Sequence, residues 1–357
     1  MQSGDYRNVD DYEAAARSRL PKPVYDYFAG GAEDEVTLAA NRDAYRSIML
    51  RPRVLIDVSI VDTSLSLLGE TLAHPILLAP AAFQRLAHLD GEIASARAAR
   101  ATETLFVAST LSTVTIEEIG AEAGPLWFQL YVFKDRELTR GLVERAEAAG
   151  ASALCLTVTV PVQGLRERDA RNRFRLPDGL EMANLHGRTQ ARMTIGEGSR
   201  LAFYIGNEFD PTLSWSAVDW LCSITRLPVL LKGVLSGEDA RIALEHGVKG
   251  IIVSNHGGRQ LDTAMPTLHA LPEVAASVPG TPVLVDGGIR RGADVVKAIA
   301  LGARAVLIGR PYLWGLAVQG QAGVEDVISQ LRVGLVRTMQ LLGRRTLAEL
   351  DTSVLAS

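Results

Sequence analysis

From residue 75 onward, the chain repeats a short apolar run, a loop rich in Gly, Ser, Thr or Pro, and an alanine-rich amphipathic segment. The apolar runs do not alternate with polar residues, which indicates strands buried on both faces. Strands that alternate with helices pair in parallel through right-handed crossovers, and eight such units favour a closed (β/α)8 TIM barrel of the α/β class over an open sheet. The predicted strands are 76–79, 105–108, 127–130, 153–158, 229–231, 250–253, 283–285 and 305–308.

The residues ahead of the barrel predict a helical lid. Residues 9–31 contain two stretches separated by Pro21 and Pro23, so we expect two short helices packed ahead of the main domain. The stretch 32–75 is expected to be irregular, with a small strand pair around 63–68. With 357 residues and 47% hydrophobic content, residues 1–357 are predicted to form one barrel domain, with the barrel proper at about 75–320.

Composition and charge exclude several classes of function. A net charge of −4 and a pI near 5.9 give no basic surface for nucleic acid. No apolar run approaches the roughly 18 residues of a membrane span, and the first residues lack the basic-then-apolar order of a secretory signal. Cys155 and Cys222 lack metal-ligand spacing. We therefore expect a soluble cytoplasmic protein with no metal site and no nucleic-acid or membrane partner.

Polar residues follow every predicted strand. In parallel barrels the carboxyl ends of the strands form one face, and that face carries the chemistry. For any single residue a role in capping a loop is the more common explanation, but the full set favours a shared site. These exits are Pro80-Ala81-Ala82, Ser109-Thr110, Gln129 with Tyr131, Thr157 with Thr159, Lys232, Ser254 with His256, Asp286-Gly287-Gly288 and Gly309-Arg310.

The loop after the sixth strand places a base and a fixed cation three residues apart. His256 can take up a proton near neutral pH, and the guanidinium of Arg259 can hold a carboxylate through two parallel hydrogen bonds. The glycines between them, Gly257 and Gly258, allow the backbone to approach a ligand closely. This combination suits the oxidation of a 2-hydroxy acid.

Residues 254–262 read Ser-Asn-His-Gly-Gly-Arg-Gln-Leu-Asp, and this stretch resembles the signature of the FMN-dependent 2-hydroxy acid oxidases and dehydrogenases. The resemblance extends from about residue 12 to about residue 350. It implies bound FMN, a small 2-hydroxy acid substrate, oxygen or another electron acceptor, and a homotetramer. It also implies that the polar segment 178–209 is a mobile lid, shorter here than in glycolate oxidase.

Two glycine-containing segments after the last two strands predict a phosphate site. Glycine amides and an arginine can cradle a terminal phosphate, and barrels of this kind usually hold phosphate at this position. The resemblance implies that Asp286 contacts the ribityl chain and that the flavin ring is met by residues at the exits of earlier strands. The implied cofactor residues are Ala81, Ala82, Ser109, Gln129, Thr157, Lys232, Ser254, Asp286, Gly288, Arg290, Gly309 and Arg310.

Lys232 ends an apolar strand, where a buried amine needs an anionic partner. The resemblance implies that it stabilises the negative charge of reduced flavin, which makes it a catalytic candidate. The alternative is a strand-end lysine that reaches solvent.

The predicted substrate residues surround this centre. Arg259 is the main carboxylate clamp, and the resemblance adds Arg166 as a second cation, although residues 164–169 also have the composition of a solvated charge run. The resemblance implies that Tyr27 contacts the substrate carboxylate, and Tyr131, on the same strand face as Gln129, could hydrogen-bond the substrate hydroxyl, while purely structural roles stay open for both. Leu111 stands where short-chain oxidases hold tryptophan, which favours, together with Phe83, an aryl or longer-chain acid such as mandelate.

Thr159 departs from the family pattern. Family members carry an aspartate here that pairs with the catalytic histidine, whereas Thr159 is neutral. A hydrogen bond to a charged group contributes about 1.5–3 kcal/mol, so its loss is expected to slow turnover roughly ten- to a hundredfold or to alter substrate choice. Thr159 therefore joins His256, Tyr131 and Lys232 in the predicted catalytic group.

The predicted reaction has His256 remove a proton while two electrons pass to the flavin. The sequence does not distinguish removal of the hydroxyl proton from removal of the Cα proton. One rival function is a flavin-binding barrel with little or no turnover that serves binding or sensing. A second rival is a barrel that binds a free phosphorylated metabolite at the same cradle.

Overall fold

The computed structural model describes residues 6–185 and 208–356, and its centre is a closed barrel of eight parallel strands. The prediction of an α/β barrel is therefore confirmed. In chain order the strands are β1 Met49–Leu50, β2 Leu65–Leu67, β3 Glu70–Leu72, β4 Ile76–Leu78, β5 Phe106–Ser109, β6 Leu126–Leu130, β7 Ala153–Thr157, β8 Val229–Val234, β9 Gly250–Val253, β10 Val283–Asp286, β11 Ala305–Ile308 and β12 Leu355–Ala356. Strands β4 to β11 form the barrel.

The barrel closes where β11 pairs with β4, with Ile308 opposite Leu78. Nearly every residue of the eight strands is buried, because side chains on one face fill the barrel and those on the other pack under the helices. The fifth barrel strand, β8, continues three residues beyond its predicted end, and a register shift between Lys232 and Val234 marks a bulge at Gly233.

The helices connect and flank the barrel strands. They are α1 Val9–Arg19, α2 Lys22–Ala29, α3 Val36–Ser47, α4 Gly91–Ala101, α5 Ile116–Glu122, α6 Arg136–Ala148, α7 Glu167–Arg171, α8 Trp215–Ile224, α9 Gly237–Glu245, α10 Thr267–Ser277, α11 Gly292–Ala300, α12 Arg310–Gln319 and α13 Gln321–Leu341. Short 3-10 turns lie at Gln84–Leu86, Ala183–Leu185, Leu347–Glu349 and Thr352–Val354. Among the described helices, none is long and apolar enough to cross a membrane.

The two N-terminal helices form as predicted and are separated at the first proline. Asn8 caps α1 by accepting from the amides of Asp10 and Asp11, and Pro21 precedes α2. The buried Tyr12 anchors α1 by donating to Asp326 Oδ2 on α13 at 2.6 Å. The lid segment is therefore tied to the last long helix.

The expectation that residues 32–75 are irregular is wrong for the first third of the stretch. Glu35, ahead of helix α3, has a φ of +63° and makes no side-chain cap, and the first two amides donate instead to the distant Asp262, so the local sequence carries no capping signal. The buried face of α3 includes the polar Thr37 and Asn41, which breaks the apolar period. The small strand pair does form, from β2 and β3.

Candidate active site

One cavity opens at the carboxyl ends of all eight barrel strands. It contains about 1160 Å³ of space free of protein atoms, counted out to its open mouth. Most of the predicted site residues share this cavity. Those that line it are Tyr27, Ala81, Ala82, Ser109, Leu111, Gln129, Tyr131, Thr157, Arg166, Lys232, His256, Arg259, Asp286, Gly288, Arg290, Gly309 and Arg310.

Two predicted residues do not line the cavity. Thr159 lies behind His256, and Ser254 accepts a hydrogen bond from Lys232 Nζ at 2.8 Å. Ser254 also accepts from the backbone amide of His256 at 3.1 Å. Both residues therefore support side chains of the wall rather than face a ligand.

His256 stands on the loop after β9 in a left-handed backbone conformation, with a φ of +57°. Its Nδ1 lies 2.7 Å from Thr159 Oγ1. Burial, followed by four nearby cations, holds the pKa of the imidazole well below its usual 6.5. We call these cations, Lys232, Arg166, Arg259 and Arg310, the cavity cations. The imidazole is neutral near pH 7, which is the form a base requires.

Lys232 is 5% exposed and pairs with a carboxylate inside the cavity. Its Nζ lies 2.7 Å from Asp286 Oδ2 and donates to Ser254 Oγ. The alternative of a lysine that reaches solvent is therefore wrong. The amine needs this partner because an uncompensated charge at the end of a buried strand would be costly.

The two arginines of the predicted carboxylate clamp converge from different loops. Arg259 Nη1 donates to the carbonyls of Tyr27 at 2.7 Å and Gly30 at 2.8 Å. Arg166 Nη2 donates weakly to Gln260 Oε1 at 3.3 Å. Burial, together with the charge of Arg259, lowers the pKa of Arg166 to about 10, so it stays protonated at neutral pH.

Aromatic stacking fixes the two candidate tyrosines in the cavity wall. Tyr27 stacks on Phe174 with ring centres 4.4 Å apart, and Tyr131 stacks on Phe209 at 4.5 Å. Burial raises the pKa of both phenols, so their hydroxyls stay protonated. Phe83, expected to shape the pocket together with Leu111, is fully buried outside the cavity lining.

The far end of the cavity holds two buried arginines beside glycine turns. Arg310 donates from all three nitrogens to the carbonyls of Phe28, Gly257 and Gly30, at 2.8–3.0 Å. Burial lowers the pKa of Arg310 to about 9, with a smaller effect from nearby cations. Arg290 Nη1 donates to the carbonyl of its neighbour at 2.9 Å. Positive charge beside glycine-containing turns suits an anionic group such as a phosphate.

Four buried polar atoms along the cavity have no hydrogen-bond partner among the described residues. They are Gln129 Nε2, Thr157 Oγ1, Asp286 Oδ1 and Arg290 Nε. Buried polar groups in native proteins are nearly always paired, so these atoms point to a ligand. An amide donor, a hydroxyl, a carboxylate oxygen and an arginine nitrogen are groups that could pair with the isoalloxazine, the ribityl chain and the phosphate of a flavin nucleotide.

Sequence reasoning missed three groups that build the site. Val160 lines the cavity, and its apolar neighbours gave no signal of this. Asn41 and Asn255 exchange two hydrogen bonds of 2.9 Å, which tie α3 to the loop of His256. Gln260 Nε2 donates to the carbonyls of Thr159 at 2.8 Å and Val162 at 2.9 Å, so it holds one active-site loop to another. No local signal in the sequence marked Asn41, because its partner lies 214 positions further along the chain.

A closed parallel barrel whose cavity combines a base, carboxylate-binding arginines and a cradle suited to phosphate is typical of barrel enzymes that act with a phosphorylated ligand. Residues 16–357 match the family model described as FMN-dependent dehydrogenase. The chain therefore belongs to this family of oxidoreductases, and FMN is its cofactor.

Curated relatives and solved structures are similar over nearly the whole chain. An L-lactate oxidase of Nostoc sp. is 52% identical over 355 residues, covering 98% of this chain and 97% of the relative. Glycolate oxidase 1 of Oryza sativa subsp. indica is 50% identical over 350 residues, covering 97% and 95%. A crystal structure of mandelate oxidase with (S)-4-hydroxymandelic acid has a TM-score of 0.94 and 45% identity, covering 98% of each chain.

Proposed function

We propose that this chain oxidises a 2-hydroxy acid to the 2-oxo acid, with FMN as electron acceptor and oxygen as the final acceptor. The observation that carries the proposal is the placement of neutral His256 and the two clamp arginines in one cavity, beside the four unpartnered polar atoms. The similarity to lactate, glycolate and mandelate oxidases supports the substrate class and the oxygen acceptor.

The cavity is strongly cationic, which favours a carboxylate ligand. Arg259 and Arg166 come from two different loops and both line the cavity. Arg166 stays protonated at neutral pH. Guanidinium groups bind carboxylates through paired hydrogen bonds, so the two arginines hold the acid end of the substrate. Tyr27 closes the same corner, because Arg259 lies 5.1 Å from its ring centre and bonds its backbone. The reacting carbon is thereby fixed relative to His256.

His256 serves as the base for the substrate proton. Its depressed pKa keeps the imidazole neutral across the neutral range, and the neutral ring is the state in which a ring nitrogen can accept a proton. Tyr131 faces the cavity with a protonated hydroxyl that can donate to the substrate oxygen. When bound, FMN supplies the two-electron oxidation.

The residues that hold FMN follow from the unpartnered atoms. Gln129, Thr157 and Ser109, with backbone at Ala81 and Ala82, would hold the flavin ring. Asp286 would hold the ribityl chain, and Lys232, paired with it, would supply positive charge to stabilise the electrons that the flavin accepts. Gly288, Arg290, Gly309 and Arg310 cradle the phosphate.

The substrate is proposed to be an aryl or longer-chain acid, of the mandelate type. Leu111 lines the cavity and is shorter than tryptophan, so it leaves room for a ring. A single such side chain changes selectivity by about 1–3 kcal/mol.

Thr159 is proposed to weaken the oxidation. Its hydroxyl contacts His256 Nδ1, where a carboxylate would stabilise the imidazolium that forms when the base takes up a proton. The expected test result is that Thr159→Asp accelerates anaerobic reduction of the bound flavin by a hydroxy acid roughly tenfold or more. A rate that stays the same or falls would contradict this role.

One experiment tests the function as a whole. The purified protein is expected to be yellow, and its flavin absorbance is expected to bleach when (S)-mandelate, L-lactate or glycolate is added without oxygen. Admitting oxygen should restore the colour. A yellow protein that no acid bleaches would favour a flavin-binding protein without turnover, and a colourless protein that binds phosphorylated metabolites would favour the second rival.

A homotetramer in the cytoplasm is proposed as the working form. Val54, Leu55 and Ile60 are 79%, 100% and 79% exposed, which suits a surface covered by another subunit. Two free cysteines fit a reducing compartment. Light scattering on the purified protein should give four times the chain mass, and a monomer would contradict the assembly. Cell fractionation tests the location.

A further inference from the structure

The contact between Thr159 and His256 differs in kind from a contact with a carboxylate. A carboxylate can only accept, so it requires a hydrogen on Nδ1 and leaves a lone pair on Nε2. A hydroxyl can also donate, and then Nδ1 accepts and the hydrogen of the neutral ring resides on Nε2. The direction of one 2.7 Å hydrogen bond therefore decides what His256 presents to the cavity.

The side chain of Thr159 is held in place from two directions. A Cβ built on Gly233 would lie 2.4 Å from Thr159 Cγ2, so the methyl group is seated against the bulge of β8. Gln260 Nε2 fixes the backbone by donating to the Thr159 carbonyl at 2.8 Å. With the methyl group on the bulge, the hydroxyl is aimed at His256.

The hydroxyl hydrogen of Thr159 has a single acceptor in the described part of the chain, and that acceptor is Nδ1. If Nδ1 donated instead, the hydroxyl hydrogen of this partly buried side chain would lack a protein partner, which is unfavourable. The cavity cations favour a lone pair on Nε2, but the carboxylate of a bound acid neutralises them.

We propose that in the resting oxidised enzyme Thr159 donates to Nδ1 of His256 and holds the imidazole with its hydrogen on Nε2, so that this form binds 2-oxo acids in preference to acids without the carbonyl. For His256 to act as the base, the hydrogen bond reverses, so that Nδ1 donates to Thr159 and Nε2 carries the lone pair. The carbonyl oxygen of a 2-oxo acid accepts from Nε2–H, while its carboxylate lies on the clamp arginines. A neutral histidine in this state acts as a hydrogen-bond donor toward a carbonyl. The choice of ligand class rests on the proposed function, but the position of the hydrogen does not.

The test compares two acids on the oxidised, FMN-loaded protein. Phenylglyoxylate and phenylacetate share the ring and the carboxylate and differ in the carbonyl. Their dissociation constants come from perturbation of the flavin spectrum. Wild type should prefer phenylglyoxylate, Thr159→Val should reduce the preference roughly five- to tenfold, and Thr159→Ser should keep it within about twofold. The valine variant keeps the shape of threonine and loses the hydroxyl, whereas serine keeps the hydroxyl.

A second readout reports the hydrogen directly. ¹⁵N-histidine NMR of the wild type should show the His256 hydrogen on Nε2, with the signal assigned through a His256→Gln variant. A hydrogen on Nδ1 in the wild type, an unchanged preference in Thr159→Val, or an equal loss in the valine and serine variants would each overturn the proposal. Failure of every hydroxy acid to reduce the flavin would overturn the proposed function instead, and it would leave the NMR result valid.

Discussion

Replacing Gly288 by alanine tests whether α3 forms one wall of the phosphate cradle. Gly288 has a φ of +84°, and a Cβ there would lie 2.1 Å from the carbonyl oxygen of Asn41 and 2.6 Å from its carbonyl carbon. These are backbone atoms of a helix, so they cannot rotate away. Gly280 is a matched control because it has the same φ of +84° and nothing within 4 Å of its Cβ position.

The two substitutions share one cost and differ in another. The left-handed conformation costs an alanine about 1–2 kcal/mol at either site. Only Gly288→Ala must also displace backbone, and overpacking adds about 1–3 kcal/mol. We therefore expect Gly280→Ala to lower the free energy of unfolding by about 1–2 kcal/mol and Gly288→Ala to lower it by about 2–5 kcal/mol.

Urea unfolding of the FMN-free variants measures this difference, and the slope of free energy against urea should be the same in both. FMN titration gives a second measure, since Gly288 lines the cavity and Gly280 is remote from it. We expect weaker FMN binding in Gly288→Ala and unchanged binding in Gly280→Ala. Equal unfolding free energies and equal FMN affinities would refute the placement of α3 against the cradle.

Three further predictions concern the chemistry. Lys232→Met should retain bound flavin but slow its anaerobic reduction by roughly a hundredfold or more, and an unchanged rate would rule out its electrostatic role. Because burial and the cavity cations lower the pKa of His256, protonation of the base occurs only at acid pH, so the acid limb of kcat/KM should lie well below pH 6.5; a limb at or above 6.5 would contradict this. Leu111→Trp should shift selectivity from mandelate toward glycolate by roughly tenfold or more in kcat/KM, and a shift the other way would refute the proposed pocket.

The barrel was predictable because its strands are buried on both faces. Uninterrupted apolar runs such as β9 and β11 therefore marked strand positions to within a residue or two. The end of β8 was less predictable, since Lys232 and Gly233 break the apolar run while the backbone continues to pair. Propensity alone does not show that a lysine at a strand end is neutralised by a carboxylate on another strand.

The residues that belong to the site could largely be predicted from the sequence, but the contacts among them could not. The strand-end rule and the family signature gathered most of the residues that line the cavity. The helix that closes the cradle was missed because its buried face depends on an amide of Asn41 that finds its partner, Asn255, 214 positions later. Nothing in the sequence around Asn41 indicates such a distant partner. An apolar helix face, in contrast, is visible in the local spacing of hydrophobic residues.

The exchange of hydrogen bonds between Asn41 and Asn255 also has a consequence for biosynthesis. During translation α3 leaves the ribosome long before the loop of His256. The side-chain amide of Asn41 therefore has no Asn255 to pair with for most of synthesis. The loop of His256 gains its support in a late, long-range closure, and contacts of that span form slowly. Nascent chains halted before residue 255 should therefore hold a partly built barrel that is open to proteases at its N-terminal segment.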